Sequence, residues 1–182
     1  LFVLASGLVF FGNVSQAGNA FGKPFSAVHA GLGIGLAGIY GVSDLPPISL
    51  SFETAIEPKI GIGAIVGYAS SSFDGGSFFG STYKYKYTYI IAGARGNYHF
   101  LENNEKFDAY AGLTLGYNIV SSKFEGPNLT PAQQALIGAA STSFLLFGGQ
   151  LGGRYWLSPG FGLYAEVGYG VGYLNAGVAF KL

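Results

Sequence analysis

The sequence predicts an all-β fold: an eight-stranded antiparallel up-and-down transmembrane β-barrel. Three observations predict it. Apolar side chains recur at every second residue over most of the chain, the period of a strand with two unlike faces. Only 10% of residues are charged, against about 25% in ordinary globular domains, too few for a comfortable water-facing surface. Glycine, at 31 residues, gathers mostly on the polar side of the alternation.

The chain opens on an apolar run, Leu1 to Phe11, followed by polar residues and the small-residue stretch Gln16-Ala-Gly-Asn-Ala20. This is the pattern of a secretory signal lacking its basic n-region, and the absence of any Met suggests a missing start. The run is too short for a membrane-spanning helix. Residues 1–20 are therefore expected to be a signal peptide, and 21–182 the barrel domain.

Eight alternating segments follow. In the first, about 24–41, Val28, Leu32, Ile34, Leu36 and Tyr40 oppose His29, Gly31, Gly33 and Gly35. In the second, about 47–57, Ile48, Leu50, Phe52 and Ile56 oppose Ser49, Ser51 and Glu53. The third, about 59–72, sets Ile60, Ile62, Ala64 and Val66 against Gly61, Gly63 and Gly67. The fourth, about 83–100, sets Ile90, Ala92, Ala94 and Tyr98 against Gly93, Arg95 and Asn97. The fifth, about 106–122, opposes Leu113, Leu115 and Tyr117 to Gly112, Thr114 and Asn118. The sixth, about 142–157, opposes Leu145, Phe147, Leu151 and Tyr155 to Gly148, Gln150 and Arg154. In the seventh, about 161–169, Leu163, Ala165 and Val167 oppose Tyr164, Glu166 and Gly168. In the eighth, about 172–182, Leu174, Ala176, Val178 and Phe180 oppose Asn175 and Gly177.

The intervening segments alternate long and short: 41–46, Pro58, 73–82, 101–105, 123–141, Ser158–Gly160 and a tight turn near Gly170. Outer-membrane barrels have short periplasmic turns and longer outer loops, which places both termini on the periplasmic side. The longest loop, Ser121 to Thr142, is the expected partner site, with a short helix predicted at Pro131–Ile137.

The glycines decide which face is wet. A soluble barrel points its bulky apolar face inward, whereas a membrane barrel points it to lipid. An eight-stranded interior is only wide enough for its own side chains, so glycine there makes room for Arg95, Arg154, Tyr164 and Glu166. The segment Gly33-Ile-Gly-Leu-Ala-Gly38 fits the dinucleotide fingerprint, but that motif needs a turn opening a helix. Here its glycines alternate with lipid-facing Ile34 and Leu36 inside a strand. Tyr and Phe near strand ends, among them Tyr40, Tyr68, Tyr98, Phe100, Phe107, Tyr155 and Phe161, suit the interfacial girdles of a membrane barrel.

Three stretches, Gly93-Ala-Arg-Gly-Asn-Tyr-His-Phe100, Asp108-Ala-Tyr-Ala-Gly-Leu-Thr-Leu-Gly-Tyr117 and Gly172-Tyr-Leu-Asn-Ala-Gly-Val-Ala-Phe-Lys-Leu182, carry a family resemblance. The chain over 21–182 resembles the small outer-membrane β-barrel proteins, the porin-like group that includes the OmpA transmembrane domain and OmpX-type barrels. The resemblance implies a Gram-negative outer membrane and a final strand read by the barrel-assembly machinery. In that family the last residue is usually aromatic; here Phe180 is third from the end and Leu182 is last.

The candidate site is a lumenal charge network: Glu53, Arg95, Arg154 and Glu166 on four strands, with His29 at similar height. It reads either as a polar lock or as a gate. Lys84 and Lys86 on the fourth strand read as contacts to lipopolysaccharide phosphates or as a solvated strand extension. No catalytic, cofactor or metal site is expected. Cysteine is absent, which removes thiol chemistry. The two histidines, His29 and His99, are not beside an outward serine, as a hydrolase needs. Balanced charge, nine basic against nine acidic residues, leaves no excess for nucleic acid. The expected role is a monomeric, non-enzymatic envelope protein, structural or surface-binding through its outer loops. The alternatives are a narrow porin-like channel and a lipid A-modifying enzyme.

Overall fold

The computed structural model describes residues 19–35, 42–78, 81–125 and 140–182. The stretch 1–18 of the expected signal peptide, Tyr40, and the 126–139 part of the expected partner loop with its short helix lie outside the described residues. Eight strands form: β1 (Ser26–Ile34), β2 (Val42–Glu57), β3 (Ile60–Phe78), β4 (Ser81–His99), β5 (Phe107–Glu125), β6 (Ala140–Trp156), β7 (Phe161–Gly168) and β8 (Leu174–Lys181). Each pairs antiparallel with the next, and β8 pairs with β1 to close the barrel. Closure satisfies the backbone where the surroundings offer no hydrogen bonds.

The faces are inverted relative to a soluble globule. Leu32 is 60% exposed, Leu113 58% and Phe147 65%, while Arg95 is 8% exposed and Glu166 6%. An apolar belt therefore girdles the outside, and tyrosines at Tyr68, Tyr117, Tyr169 and Tyr173 lie along its upper rim, also exposed. No globular domain leaves so continuous an apolar skin in water. The belt marks a barrel that sits in a bilayer.

Glycines on the inner face make way for large neighbours. A methyl group at Gly31 would run into the Tyr164 hydroxyl, and one at Gly152 into the Tyr110 ring. Of the dinucleotide-like segment, Gly33 lies in β1, where a methyl group would run into Asn175 and Pro47, and Gly35 follows the end of the strand with a φ of 68°.

The wall is uneven in height. β1, β7 and β8 are short strands of 9, 8 and 8 residues. By contrast β3, β4 and β5 run to 19 residues each, more than the nine to eleven that cross a bilayer. Two expected loops are corrected here. Residues 73–82 continue as paired strand to Phe78↔Ser81, and 42–46 pair with β3 through two bulges. The Tyr and Thr residues of β4 favour a pleated surface, so the β3–β4 hairpin keeps zipping beyond the membrane. The short connections Pro58-Lys59, 100–106 and 157–160 lie at the opposite end, the turn end, together with Asn19–Phe25 and Leu182.

Candidate functional site

The lumen is filled by three stacked layers. The lowest, at the turn end, is aromatic. The chain before β1 folds back under the barrel and buries Ala20, Phe21 and Phe25 with Ala27, Trp156 and Ala179. The Trp156 indole donates to the Ala20 carbonyl at 3.0 Å. Phe21 stacks flat on His99, with centroids 3.3 Å apart and an interplanar angle of 5°.

Above it lies the charge network. Arg154, fully buried, is its hub. Its guanidinium donates from Nε and Nη2 to Asp108 Oδ2 at 2.9 and 2.6 Å, and Nη1 lies 2.7 Å from Glu53 Oε2. Its planar face meets three rings, with Cζ 4.9 Å from the Tyr110 centroid, 5.0 Å from Phe25 and 5.8 Å from Phe21. Such fork-like donation and ring stacking suit arginine and not lysine. Glu53 also accepts from Asn97 Nδ2 at 2.6 Å. A second pair sits deeper: Arg95 Nη2 donates to Glu166 Oε1 at 2.7 Å, and the Tyr110 hydroxyl donates to the same oxygen at 2.8 Å.

The two histidines play opposite parts. His29 Nε2 accepts from Arg154 Nη1 at 3.0 Å, so its proton sits on Nδ1, facing the Ser51 hydroxyl at 3.3 Å. His99 meets carboxylates on both sides, Asp108 at 2.8 Å from Nδ1 and Glu53 at 3.2 Å from Nε2. A neutral ring satisfies one of these acceptors and the imidazolium satisfies both. With that form the layer balances, three acids against two arginines and one histidine.

The third layer is apolar. Ile65, Ile91 and Leu146 point inward from β3, β4 and β6, and Val171 of the β7–β8 turn drops into the mouth onto them. A methyl group at Gly67 would strike the Val171 side chain. Among the described residues, small cavities of about 10 and 20 Å³ lie between the layers, each room for about one water molecule. Arg95 lines both, and its Nε has no partner.

The structure thus brings Glu53, Arg95, Arg154, Glu166 and His29 into one connected lumenal cluster. Sequence reasoning missed Asp108, Tyr110, Asn97 and His99 as members. All four share the parity of the polar face on β4 and β5, which was the available signal. Lys84 and Lys86 lie elsewhere, on the outer face of β4, exposed above Ile90 and Thr88. The register sets Lys86 opposite Lys123 of β5, which is also exposed.

No protein-family model matches the chain, and no curated protein matches it in sequence. Its backbone is similar to the crystal structure of the N-terminal β-barrel domain of Pseudomonas aeruginosa OprF, with a TM-score of 0.56 and 12% identity, covering 88% of this chain and 99% of that one. The fold is that of the small outer-membrane β-barrels. The chain is also similar to Ail, the attachment invasion locus protein of Yersinia pestis. In complex with the heparin analogue sucrose octasulfate, Ail gives a TM-score of 0.46 at 16% identity over 86% of this chain and 93% of that one. Ail alone gives 0.42 at 16% identity over 88% and 95%.

Proposed function

We propose that the protein is a non-conducting, non-enzymatic barrel of the bacterial outer membrane that presents its tall β2–β6 wall at the cell surface, with both termini periplasmic. One observation carries this reading: the lumen is closed three times over, by an aromatic plug, a paired charge layer and an apolar lid. A porin-like path would need a connected polar channel, and an isolated space for one water is not one. An enzyme would need a reactive group free to meet substrate. Among the described residues both histidines are held inside the charge layer, and Arg154 occupies the centre between Glu53, Asp108 and His99 where a cation would otherwise sit. The polar lock, not the gate, is the role this packing supports. The decisive measurement is planar-bilayer conductance of the refolded chain, expected to stay at the bare-membrane baseline. Discrete, reproducible openings would establish the channel reading instead.

The outer-face lysines support a second element of the role. Lys84 and Lys86 stand exposed just above the apolar belt, where outer-leaflet phosphates lie and an ammonium group donates charge-assisted hydrogen bonds. We expect Lys84→Gln with Lys86→Gln to weaken co-purification with lipopolysaccharide several-fold. Unaltered association would leave these lysines as a solvated strand extension.

A further inference from the structure

The plug at the turn end begins earlier than the strand pattern does. Ala20 is 1% exposed and Phe21 4%. The Ala20 amide donates to the Asn104 carbonyl of the β4–β5 connection, and its own carbonyl accepts from the Trp156 indole at 3.0 Å. The Asn19 carbonyl accepts from Lys181 Nζ at 3.2 Å. That ammonium group also lies 4.5 Å from the Trp156 ring centroid. Asn19 and Ala20 are thereby tied to β6, to β8 and to the β4–β5 connection.

The residues around them carry the small-residue pattern of an export cleavage site. That pattern asks for small side chains one and three residues before the cut bond, in the A-x-A manner. Beyond the apolar run Leu1 to Phe11, three bonds meet it. Ser15 and Ala17 precede Ala17–Gly18, Gly18 and Ala20 precede Ala20–Phe21, and Ala20 and Gly22 precede Gly22–Lys23. The pattern does not choose among them, but the plug does. Cutting Ala20–Phe21 would remove the Asn19 and Ala20 carbonyls together with the Ala20 amide. The Phe21 nitrogen, until then bonded to the carbonyl carbon that the Trp156 indole addresses, would become an ammonium group in the aromatic layer. Indole N–H and ammonium are both donors only. The buried indole would be left without its acceptor, and a buried donor so stranded costs more than the bond it had made. Cutting Gly22–Lys23 would go further, taking Phe21 from its stack on His99 and from the Arg154 guanidinium. Cutting Ala17–Gly18 leaves all of these contacts in place.

We propose that the mature protein begins at Gly18. An export peptidase specific for small residues hydrolyses the Ala17–Gly18 bond, and Asn19 and Ala20 stay with the barrel as the anchor of its plug. Water adds across that amide, giving a carboxylate on Ala17 and an amine on Gly18. A peptidase reaches the chain here only while it is extended, so the fold does not steer the cut; it decides which product can complete the plug. The proposal rests on the outer-membrane reading for export alone, since the choice of bond comes from the packing of Ala20.

Intact mass and amino-terminal sequencing of the protein isolated from outer membranes of its source cells check the cut. A chain starting at Gly18 is expected. Any other start, at Phe21 or Lys23 above all, or a chain still carrying residues before Gly18, would overturn the proposal. A Gly18 start on protein recovered from another compartment would count against the outer-membrane reading and leave the cut standing. The anchoring is checked on two chains refolded in phospholipid vesicles, one from Gly18 and one from Phe21. In urea the Phe21 chain should show a folding equilibrium constant at least about tenfold smaller. Emission from Trp156, the single tryptophan, should move to longer wavelength as its indole loses Ala20. Failure of the Phe21 chain to refold supports the anchoring equally. Equal stability and identical emission of the two chains would mean that Ala20 anchors nothing, and the proposal falls.

Discussion

The lower and upper halves of the lumen are held by different physics. Below, Arg154, Glu53, Asp108 and His99 form a network in which the buried charged atoms have partners within bonding distance. Above, Ile65, Ile91, Leu146 and Val171 pack as an ordinary apolar cluster, and buried polar atoms nearby go unpartnered, namely Arg95 Nε, Asn118 Oδ1 and Asn175 Oδ1. The lower half is over-determined: moving one group strands several others. The upper half is plastic, because dispersion contacts lack direction.

The sharpest way to break that comparison is Arg154→Met. Methionine keeps much of the volume and the ring contacts but leaves Glu53 and Asp108 facing each other without a cation. Removing one partner of a buried ionic cluster costs about 3–5 kcal/mol, and that loss is expected in urea unfolding of the barrel in phospholipid vesicles. Adding Asp108→Asn and Glu53→Gln should recover much of it, since the stranded charge is then gone. A single Arg154→Met variant as stable as the parent would mean the charges are not coupled, and the contrast between the halves would disappear.

How much of this was legible beforehand follows the same division. Strand alternation alone placed Leu32, Leu113 and Phe147 outside and Arg95, Arg154 and Glu166 inside, because a period of two fixes the face of every residue once the wet face is known. It did not reveal that Arg154 bonds Asp108, its direct partner on the neighbouring strand, because such pairs depend on inter-strand register, which a single chain's periodicity leaves open. The aromatic plug was hidden for another reason. Phe21 lies outside every expected strand and Phe25 sits at the very start of the first, and only the fold packs both with Trp156 and brings Phe21 beneath His99. The sequence predicts a loop at 73–82, since Gly75-Gly76 and the serines around it are turn formers in isolation, yet pairing to β4 overrides them. The apolar lid did leave a trace. The doublets Ile65-Val66, Ile90-Ile91 and Leu145-Leu146 break the alternation, and each contributes its inward member to the lid.

The lid also gives the gentler test. Val171→Ala removes two methyl groups from a site 4% exposed, for a loss of about 1–2 kcal/mol, well below the cost at Arg154. Its partner substitution is more informative. Gly67→Ala puts a methyl group where the Val171 side chain now sits, so alone it must push the β7–β8 turn upward and destabilise the barrel. Made together with Val171→Ala, it should fill the space just vacated, and the pair should cost about 1 kcal/mol less than the two changes summed. Strict additivity in the same urea titration would place Val171 outside the mouth, and the upper half would then have no lid to compare with the plug below. A non-additive result with conductance still at baseline would show the two halves closing the lumen independently, since loosening the lid leaves the Arg154 layer intact beneath it.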